Sequence, residues 1–399
     1  MRLLYLTAEE WPTFRADINV LFGKYLPRYG VYSDLLTEAS LSQAAATWPA
    51  GKAVTCRVPS NRAAHYIFKF LHQCKVLLTT NYDDYAAVQV RDMTIIALVA
   101  LVMSTIKNKP FFYWLSYPQS EGQVQRAKAR GMRAGMKYWF PLLQGTVGKW
   151  LLYRVILPKS DHIFVQSTNM LEMLAEQGVA VSKMTPVPMG VDVEATQEML
   201  IPSQNDALKD KRVIIYLGTL DRVRQIEFLF EMLAIVKAHV PNVLLVLAGD
   251  TEDSDHRAWL KQEAQRLGVT ESILWTGWQP MQEAWRYVIA AEVGLSPFPR
   301  GYLLDMASPT KAVEYMALGL PVVANDNPDQ QQIIVESRAG LCVAMSAQDF
   351  ANATLTLLND SKLSANMSEL GKAYVAQKRS YQQLAKALAA EYKTRNRRL

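Results

Sequence analysis

Strand-like apolar runs alternate with longer helix-patterned segments along almost the whole of this chain, a rhythm that admits few folds besides a parallel α/β arrangement. In the first half the clearest strands are expected at Leu3–Thr7, Val76–Thr79, Phe111–Leu115 and His162–Gln166. In the second they are expected at Val213–Leu217, Val243–Ala248, Ile273–Thr276, Val293–Leu295 and Pro321–Ala324, with helices at Ile226–Ala238, Arg257–Leu267 and Met281–Ala290. The second half repeats the rhythm of the first without repeating its sequence. A chain of 399 residues exceeds what one ordinary core organises, so two domains are expected, 1–195 and 196–375. They divide after Pro186–Asp192, where a polar stretch from Pro202 to Lys211 leads into the next strand. The Ala-, Lys- and Gln-rich tail, 376–399, reads as a helix that crosses back to brace the first domain and ends in the basic segment Lys393–Arg398.

Half of the residues are hydrophobic and a fifth are charged, which fits a globular protein and argues against disorder. The three cysteines, Cys56, Cys74 and Cys342, have no CxxC or Cys/His spacing and read as buried thiols in a reducing compartment. The segment Met1–Thr7 already has the pattern of a buried strand, so no leader is expected before the fold. The longest apolar run, Met93–Ile106, is too short to span a bilayer. A cytoplasmic location is expected. The net charge of +6 is local: Arg126, Lys128, Arg130, Arg133, Lys137, Lys149, Arg154 and Lys159 fall between Val124 and Lys159, where there is no acidic residue.

The segment from Ser308 to Ile334 carries the most chemistry. Ser308 is placed as an N-cap, Pro309 at the first helical position, Gly319 just past the last turn, and Pro321 before the strand Val322-Val323-Ala324. A helix opening in this way leaves backbone N–H groups for an anion, and Lys311 in its first turn opposes the helix dipole unless an anion is near. Glu314, just past that turn, is placed to accept hydrogen bonds from a sugar hydroxyl. Upstream, Val213–Leu217 runs into Gly218, Thr219, Arg222 and Arg224: a strand, a glycine turn that lets a phosphate approach, and two multi-donor guanidiniums. Gly249 ends a further strand on the same side, where ligands of such sheets gather. Asp253-Ser254-Asp255 is formally a DxD metal motif but directly precedes a helix, where Asp and Ser are ordinary caps. HExxH, GxGxxG and P-loop patterns are absent.

The stretch Ser308-Pro-Thr-Lys-Ala-Val-Glu314 with Gly319-Leu-Pro-Val-Val323 resembles the nucleotide-sugar-binding motif of retaining glycosyltransferases of the GT-B fold, specifically family 4. Ile273–Trp278, Ser160–Ser167 and the Pro186–Asp192 crossing resemble further segments of that family, so the likeness covers residues 160–345 well and 1–160 in outline. It implies two Rossmann-like doubly wound domains facing a cleft, the first for an acceptor and the second for a nucleoside-diphosphate sugar. It implies donor-site roles for Gly218, Thr219, Arg222, Arg224, Gly249, Trp278, Ser308, Pro309, Thr310, Lys311 and Glu314, with Glu314, Arg224 and Asp305 at the chemistry. No metal and no cofactor are implied, the nucleotide sugar being a co-substrate. The chain departs from the pattern at Thr219, where an arginine is usual, and at Met306, where a second glutamate is usual; Arg222 and Asp305 are the neighbouring substitutes. Trp278 reads either as a wall of the base pocket or as core. In the first βα loop Arg15 and Asp17 are candidates for substrate contact or for a surface salt bridge.

Segment 124–159 interleaves its cations with aromatics, and Arg133, Lys137, Trp139, Lys149 and Trp150 suit an anionic membrane surface. Nucleic acid is not expected, since no binding module accompanies the patch. The expected activity is retaining transfer of a sugar to a hydroxyl, with a lipid-linked acceptor in surface polysaccharide or glycolipid assembly, on the inner face of the cell membrane. A GT-B nucleotide-sugar epimerase and a non-catalytic nucleotide-sugar-binding scaffold are the alternatives.

Overall fold

The structure, a computed structural model, describes residues 1–40, 46–57, 59, 61–198 and 201–396; Arg397 and Arg398 of the basic tail lie outside them. The chain divides into two compact units, Met1–Pro188 with the segment from Tyr381 onward, and Met189–Ser380. The first divide thus falls seven residues before the expected 195/196, and the second five residues after 375/376. The reason is that Met189 and Val191 are already tied into the second unit: the Val191 N–H donates to the Arg379 carbonyl at 2.9 Å and Val191 bridges Ser380.

In the first unit, β1 (Arg2–Leu6), β2 (Tyr32–Glu38), β3 (Ala53–Cys56), β4 (Ala87–Arg91), β5 (Phe111–Leu115), β6 (His162–Val165) and β7 (Met184–Pro186) form a sheet in the order β3-β2-β1-β4-β5-β6-β7. Every pairing is parallel. The order reverses between β1 and β4, which makes their carboxyl ends the switch point where loops diverge. The run Val76–Thr79 is not a strand but the last turn of an 18-residue helix, Arg62–Thr79. A four-residue apolar run has no period of its own, and here the helical pattern before it continues through.

The C-terminal helix Tyr381–Asn396 belongs to the first unit. Tyr381, Ala385, Leu388, Ala389 and Tyr392 recur at helical spacing and are all buried, in a core with Leu3, Tyr5, Phe112, Trp114 and Phe164. The Tyr392 hydroxyl donates to Gln89 in the centre of the sheet, and its ring lies 4.8 Å from that of Phe164.

In the second unit, β8 (Arg212–Leu217), β9 (Val243–Ala248), β10 (Ile273–Gly277), β11 (Val293–Ser296), β12 (Val322–Asn325) and β13 (Gly340–Val343) run parallel in the order β10-β9-β8-β11-β12-β13. This is the doubly wound 3-2-1-4-5-6 order, with its switch point between β8 and β11. One buried ion pair closes the unit near its chain ends. Arg379 Nη2 lies 2.5 Å from Asp329 Oδ1, both side chains being almost fully buried. Arg379 also reaches the Met189 carbonyl at 3.3 Å.

Two substitutions test this account. Tyr392→Ala removes a buried aromatic, so the folded first unit is expected to be destabilised by about 3–5 kcal/mol. A change under about 1 kcal/mol in denaturant titration means that the tail is not docked there. Asp329→Ala strands the Arg379 charge and is expected to cost about 3–5 kcal/mol in the second unit.

Candidate functional site

The short helix Lys311–Ala317 sits at the switch point of the second sheet, and its register is set by Tyr315. The Leu217 N–H at the end of β8 donates to the Tyr315 hydroxyl at 2.7 Å, and that hydroxyl lies 3.3 Å from the Leu295 carbonyl of β11. Gly294 makes room for the ring: a Cβ there would lie 2.5 Å from it. Lys311, one turn before Tyr315, shares its face of the helix and is carried over the end of β8. The ammonium stands 3.3 Å from where a Cβ on Gly218 would be, and 5.1 Å from the Tyr216 ring.

Phe298, just after β11, supplies the other wall. Its N–H donates to Asn325 Oδ1 at 2.7 Å and its carbonyl accepts from Asn325 Nδ2 at 2.9 Å, so the backbone is held on both sides. The Arg224 guanidinium lies 4.7 Å from the ring centroid and Lys311 Nζ 5.8 Å from it. Among the described residues neither cation is in salt-bridge contact with a carboxylate, and Arg224 Nε is buried without a hydrogen-bond partner. Burial and the Arg224 charge push the Lys311 ammonium down to about 7, against the pull of Glu314. Burial lifts the Glu314 carboxyl to about 7, opposed by Lys311 and a hydrogen bond to Thr310. Gly218 and Gly249 bring two backbones together here, since a Cβ on Gly249 would lie 2.0 Å from the Gly218 carbonyl. The Thr219 carbonyl accepts from the Tyr216 hydroxyl at 2.9 Å.

Gly218, Arg224 and Lys311 are thus brought together, with Glu314 buried beside Lys311. Other expected residues are committed elsewhere. Ser308 does not cap the helix, and Pro309 is not its first residue: the helix starts at Lys311 with Thr310 before it. The Ser308 hydroxyl donates to Asp329 at 2.7 Å and accepts from the Met189 N–H at 3.0 Å, so it braces the loop from below. Arg222 forms an exposed pair with Asp253 at 3.1 Å. Asp253 in turn caps the helix Ser254–Arg266 by accepting from the His256 N–H at 2.9 Å, as its position before a helix suggested. Asp305 is held by Arg300 at 2.9 Å. Trp278 is 55% exposed beyond the edge strand β10, which rules out the core reading. Phe298, Tyr216, Tyr315 and Asn325 were not singled out in the sequence. Their only signal there is position, at or next to the carboxyl ends of β8, β11 and β12 or on the helix that joins them.

In the first unit, Asp17 is buried at the β1/β4 switch point rather than placed on the surface. Arg91 Nη2 lies 2.6 Å from it, and Arg15 approaches it at 3.2 Å and Glu9 at 3.4 Å. Burial alone would raise the Asp17 carboxyl, but the two guanidiniums outweigh it and hold it at about 2. At the segment read as membrane-facing, Arg133, Lys137, Trp139 and Trp150 are exposed; Lys149 is half-buried, 5.7 Å over the Tyr153 ring.

Two doubly wound parallel sheets, the second carrying open cations at its switch point, define a protein of the GT-B fold. Residues 199–374, most of the second unit, match the family Glycosyl transferases group 1. The alpha-monoglucosyldiacylglycerol synthase of Streptococcus pneumoniae is 25% identical over 246 residues, 57% of this chain and 53% of that enzyme. The chain thus spans about half the length of this curated relative. Among solved structures, Anabaena HepE in complex with UDP matches 99% of this chain and 100% of its own, with a TM-score of 0.71 at 16% identity. WaaG, a glycosyltransferase involved in lipopolysaccharide biosynthesis, matches 98% of this chain and 99% of its own, with a TM-score of 0.69 at 12% identity.

The open cations make a thermodynamic prediction. At pH 8, above its lowered pKa, Lys311 is mostly neutral, and a diphosphate beside it restores the proton. Calorimetric titration of UDP at pH 8 is expected to show proton uptake, read as different apparent enthalpies in Tris and HEPES. Lys311→Arg, which stays charged, is expected to reduce the difference to whatever Glu314 contributes. Equal enthalpies for the unaltered protein would place the diphosphate away from Lys311.

Proposed function

We propose that this protein is a retaining, family 4 glycosyltransferase that moves a hexose from a nucleoside-diphosphate sugar to a hydroxyl of a lipid-linked acceptor, in surface polysaccharide or glycolipid assembly. The observation that carries the reading is the pair of basic side chains, Arg224 and Lys311, with no salt bridge to a carboxylate among the described residues, at the switch point between β8 and β11. Two like charges on one aromatic ring are unfavourable until an anion joins them, and a diphosphate supplies that anion. Arg224 and Lys311 hold the diphosphate, over glycines that admit its approach. Glu314 accepts from the sugar hydroxyls. The sugar C1–O bond to the phosphate breaks as the bond to the acceptor oxygen forms on the same face, and the acceptor proton passes to the leaving phosphate. The charge that develops on that phosphate is met by the two side chains, and the reading calls for no metal or cofactor.

Three supports come from elsewhere. Solved structures of HepE contain UDP and UDP-glucose, which makes UDP-glucose the first donor to try. The curated relative is named for a glycolipid product. The helix Met136–Leu151 exposes Met136, Trp139, Phe140, Leu143, Val147 and Trp150 at helical spacing beside Arg133 and Lys137, which suits peripheral docking on the inner, anionic face of the cell membrane. Among the described residues no helix is long and apolar enough to cross a membrane.

A thermal-shift panel of UDP-, GDP-, ADP- and dTDP-sugars without metal tests the donor site, since a ligand of the native state raises the melting temperature. One nucleotide is expected to shift it, and Glu314→Ala is expected to lower turnover by roughly 100-fold. Turnover without acceptor would instead point to the epimerase. Binding without turnover on membranes bearing lipid acceptors would point to a scaffold in which Thr219 and Met306 mark a lost site.

A further inference from the structure

The basic aromatic helix is not the only unpartnered face of the first unit. The helix Arg62–Thr79 exposes Tyr66, Ile67, Phe68, Leu71 and Leu78, while among its described side chains only Gln73 and Leu77 are buried. Its neighbour Thr94–Ile106 exposes Ile95, Val102 and Ile106. The crossovers β3 to β4, β4 to β5 and β5 to β6 all advance in one direction across the sheet, and right-handed connections therefore place their helices on one side of it. The contacts agree: Arg62–Thr79 packs on Thr94–Ile106, which touches Met136–Leu151.

Charge follows the same boundary. No Asp or Glu occurs in Arg62–Thr79, in Thr94–Lys109 or in Val124–Lys159. Glu121, at the start of the helix Gln119–Arg130, is buried, and Asp83 and Asp84 lie in the turn after Arg62–Thr79. Lys75, Lys107, Arg126, Lys128, Arg130, Arg133 and Lys137 are exposed on these segments. Apolar surface on this scale is rare on a protein surrounded only by water. Exposed apolar side chains with cations and almost no carboxylates suit the headgroup boundary of an anionic bilayer, where cations meet phosphate and apolar groups enter the acyl region.

Resting on the membrane reading above, we propose that the helices Arg62–Thr79 and Thr94–Ile106 join Met136–Leu151 in one continuous docking face for an anionic lipid bilayer. The whole helical side of the first unit, not a single helix, then lies on the membrane.

The test is co-sedimentation with phosphatidylglycerol-containing vesicles, using the full chain. The double variant Ile67→Glu/Leu71→Glu changes only exposed positions and leaves Met136–Leu151 intact. It is expected to partition about tenfold more weakly, with unchanged melting temperature and unchanged nucleotide-induced shift. Ile106→Glu is a second, independent probe and is expected to act in the same direction. Unchanged partitioning of both, while Arg133→Glu/Lys137→Glu/Lys149→Glu releases the protein, overturns the extended face and leaves the single-helix reading standing. If the unaltered chain does not partition at all, both readings fail. If Ile67→Glu/Leu71→Glu instead turns a dimer into a monomer by light scattering, with partitioning unchanged, the face is a self-association surface and the proposal is overturned.

Discussion

At the end of β8 the Leu217 amide donates to a side chain, and its acceptor is the Tyr315 hydroxyl. A single buried hydrogen bond contributes only about 1 kcal/mol, but this one acts through direction. It fixes the rotation of a helix of seven residues, too short to be rigid by itself. With Tyr315 pinned between β8 and β11, and its depth set by the missing side chain of Gly294, Lys311 one turn earlier has one place to go. Glu314, the residue before Tyr315, is carried into the same buried space. Phe298 is held with equal firmness by Asn325, at the end of the next strand. The cations are thus positioned by hydrogen bonds and packing at the ends of β8, β11 and β12.

The two units put opposite electrostatics at equivalent places. At the β1/β4 switch point Asp17 neutralises Arg91 and holds Arg15, leaving a closed ionic knot. At the β8/β11 switch point Arg224 and Lys311 stay open, and the nearest acid, Glu314, is itself shifted toward the neutral form. A structural ion pair explains the first arrangement and does not explain the second. Burial beside Arg224 disfavours the charged form of Lys311, which is why its ammonium is pushed down to about 7.

Much of the second unit was legible because its strands are largely apolar runs bounded by Gly or Pro, as in Val243–Ala248 before Gly249 and Val322–Ala324 after Pro321. In the first unit β4 (Ala87–Arg91) was hidden because Gln89 and Arg91 point into it, each buried by a tertiary partner. The error at Val76–Thr79 has the same root: local pattern cannot say whether a helix stops. At the site, the glycines and cations that the fold brings together showed in the sequence as a strand, a glycine turn and basic side chains. The N-cap expected at Ser308 failed, and the pairing of Arg222 went unseen, because a hydroxyl and a guanidinium bond to whatever partner lies in reach. Asp329, Met189 and Asp253 claim them, and only the folded chain brings these partners near. Phe298 was invisible for the complementary reason, since an aromatic after a strand looks like core until cations are found on its face.

The outer helical surfaces of the two units differ in the side chains they expose. In the second unit the helix Ser254–Arg266 mixes Asp255, Arg257, Lys261, Glu263 and Arg266 within four turns, the ordinary coat of a helix facing water. The helices Arg62–Thr79, Thr94–Ile106 and Met136–Leu151 have no acidic residue among them, and large apolar side chains take the exposed positions. Core packing does not call for this difference, because the residues concerned are largely exposed. Solubility cannot either, because mixed charges would serve it better. The docking proposed above answers the pattern with a partner that is both apolar and negatively charged. A lipid surface has both properties in one place, within the depth that these side chains reach.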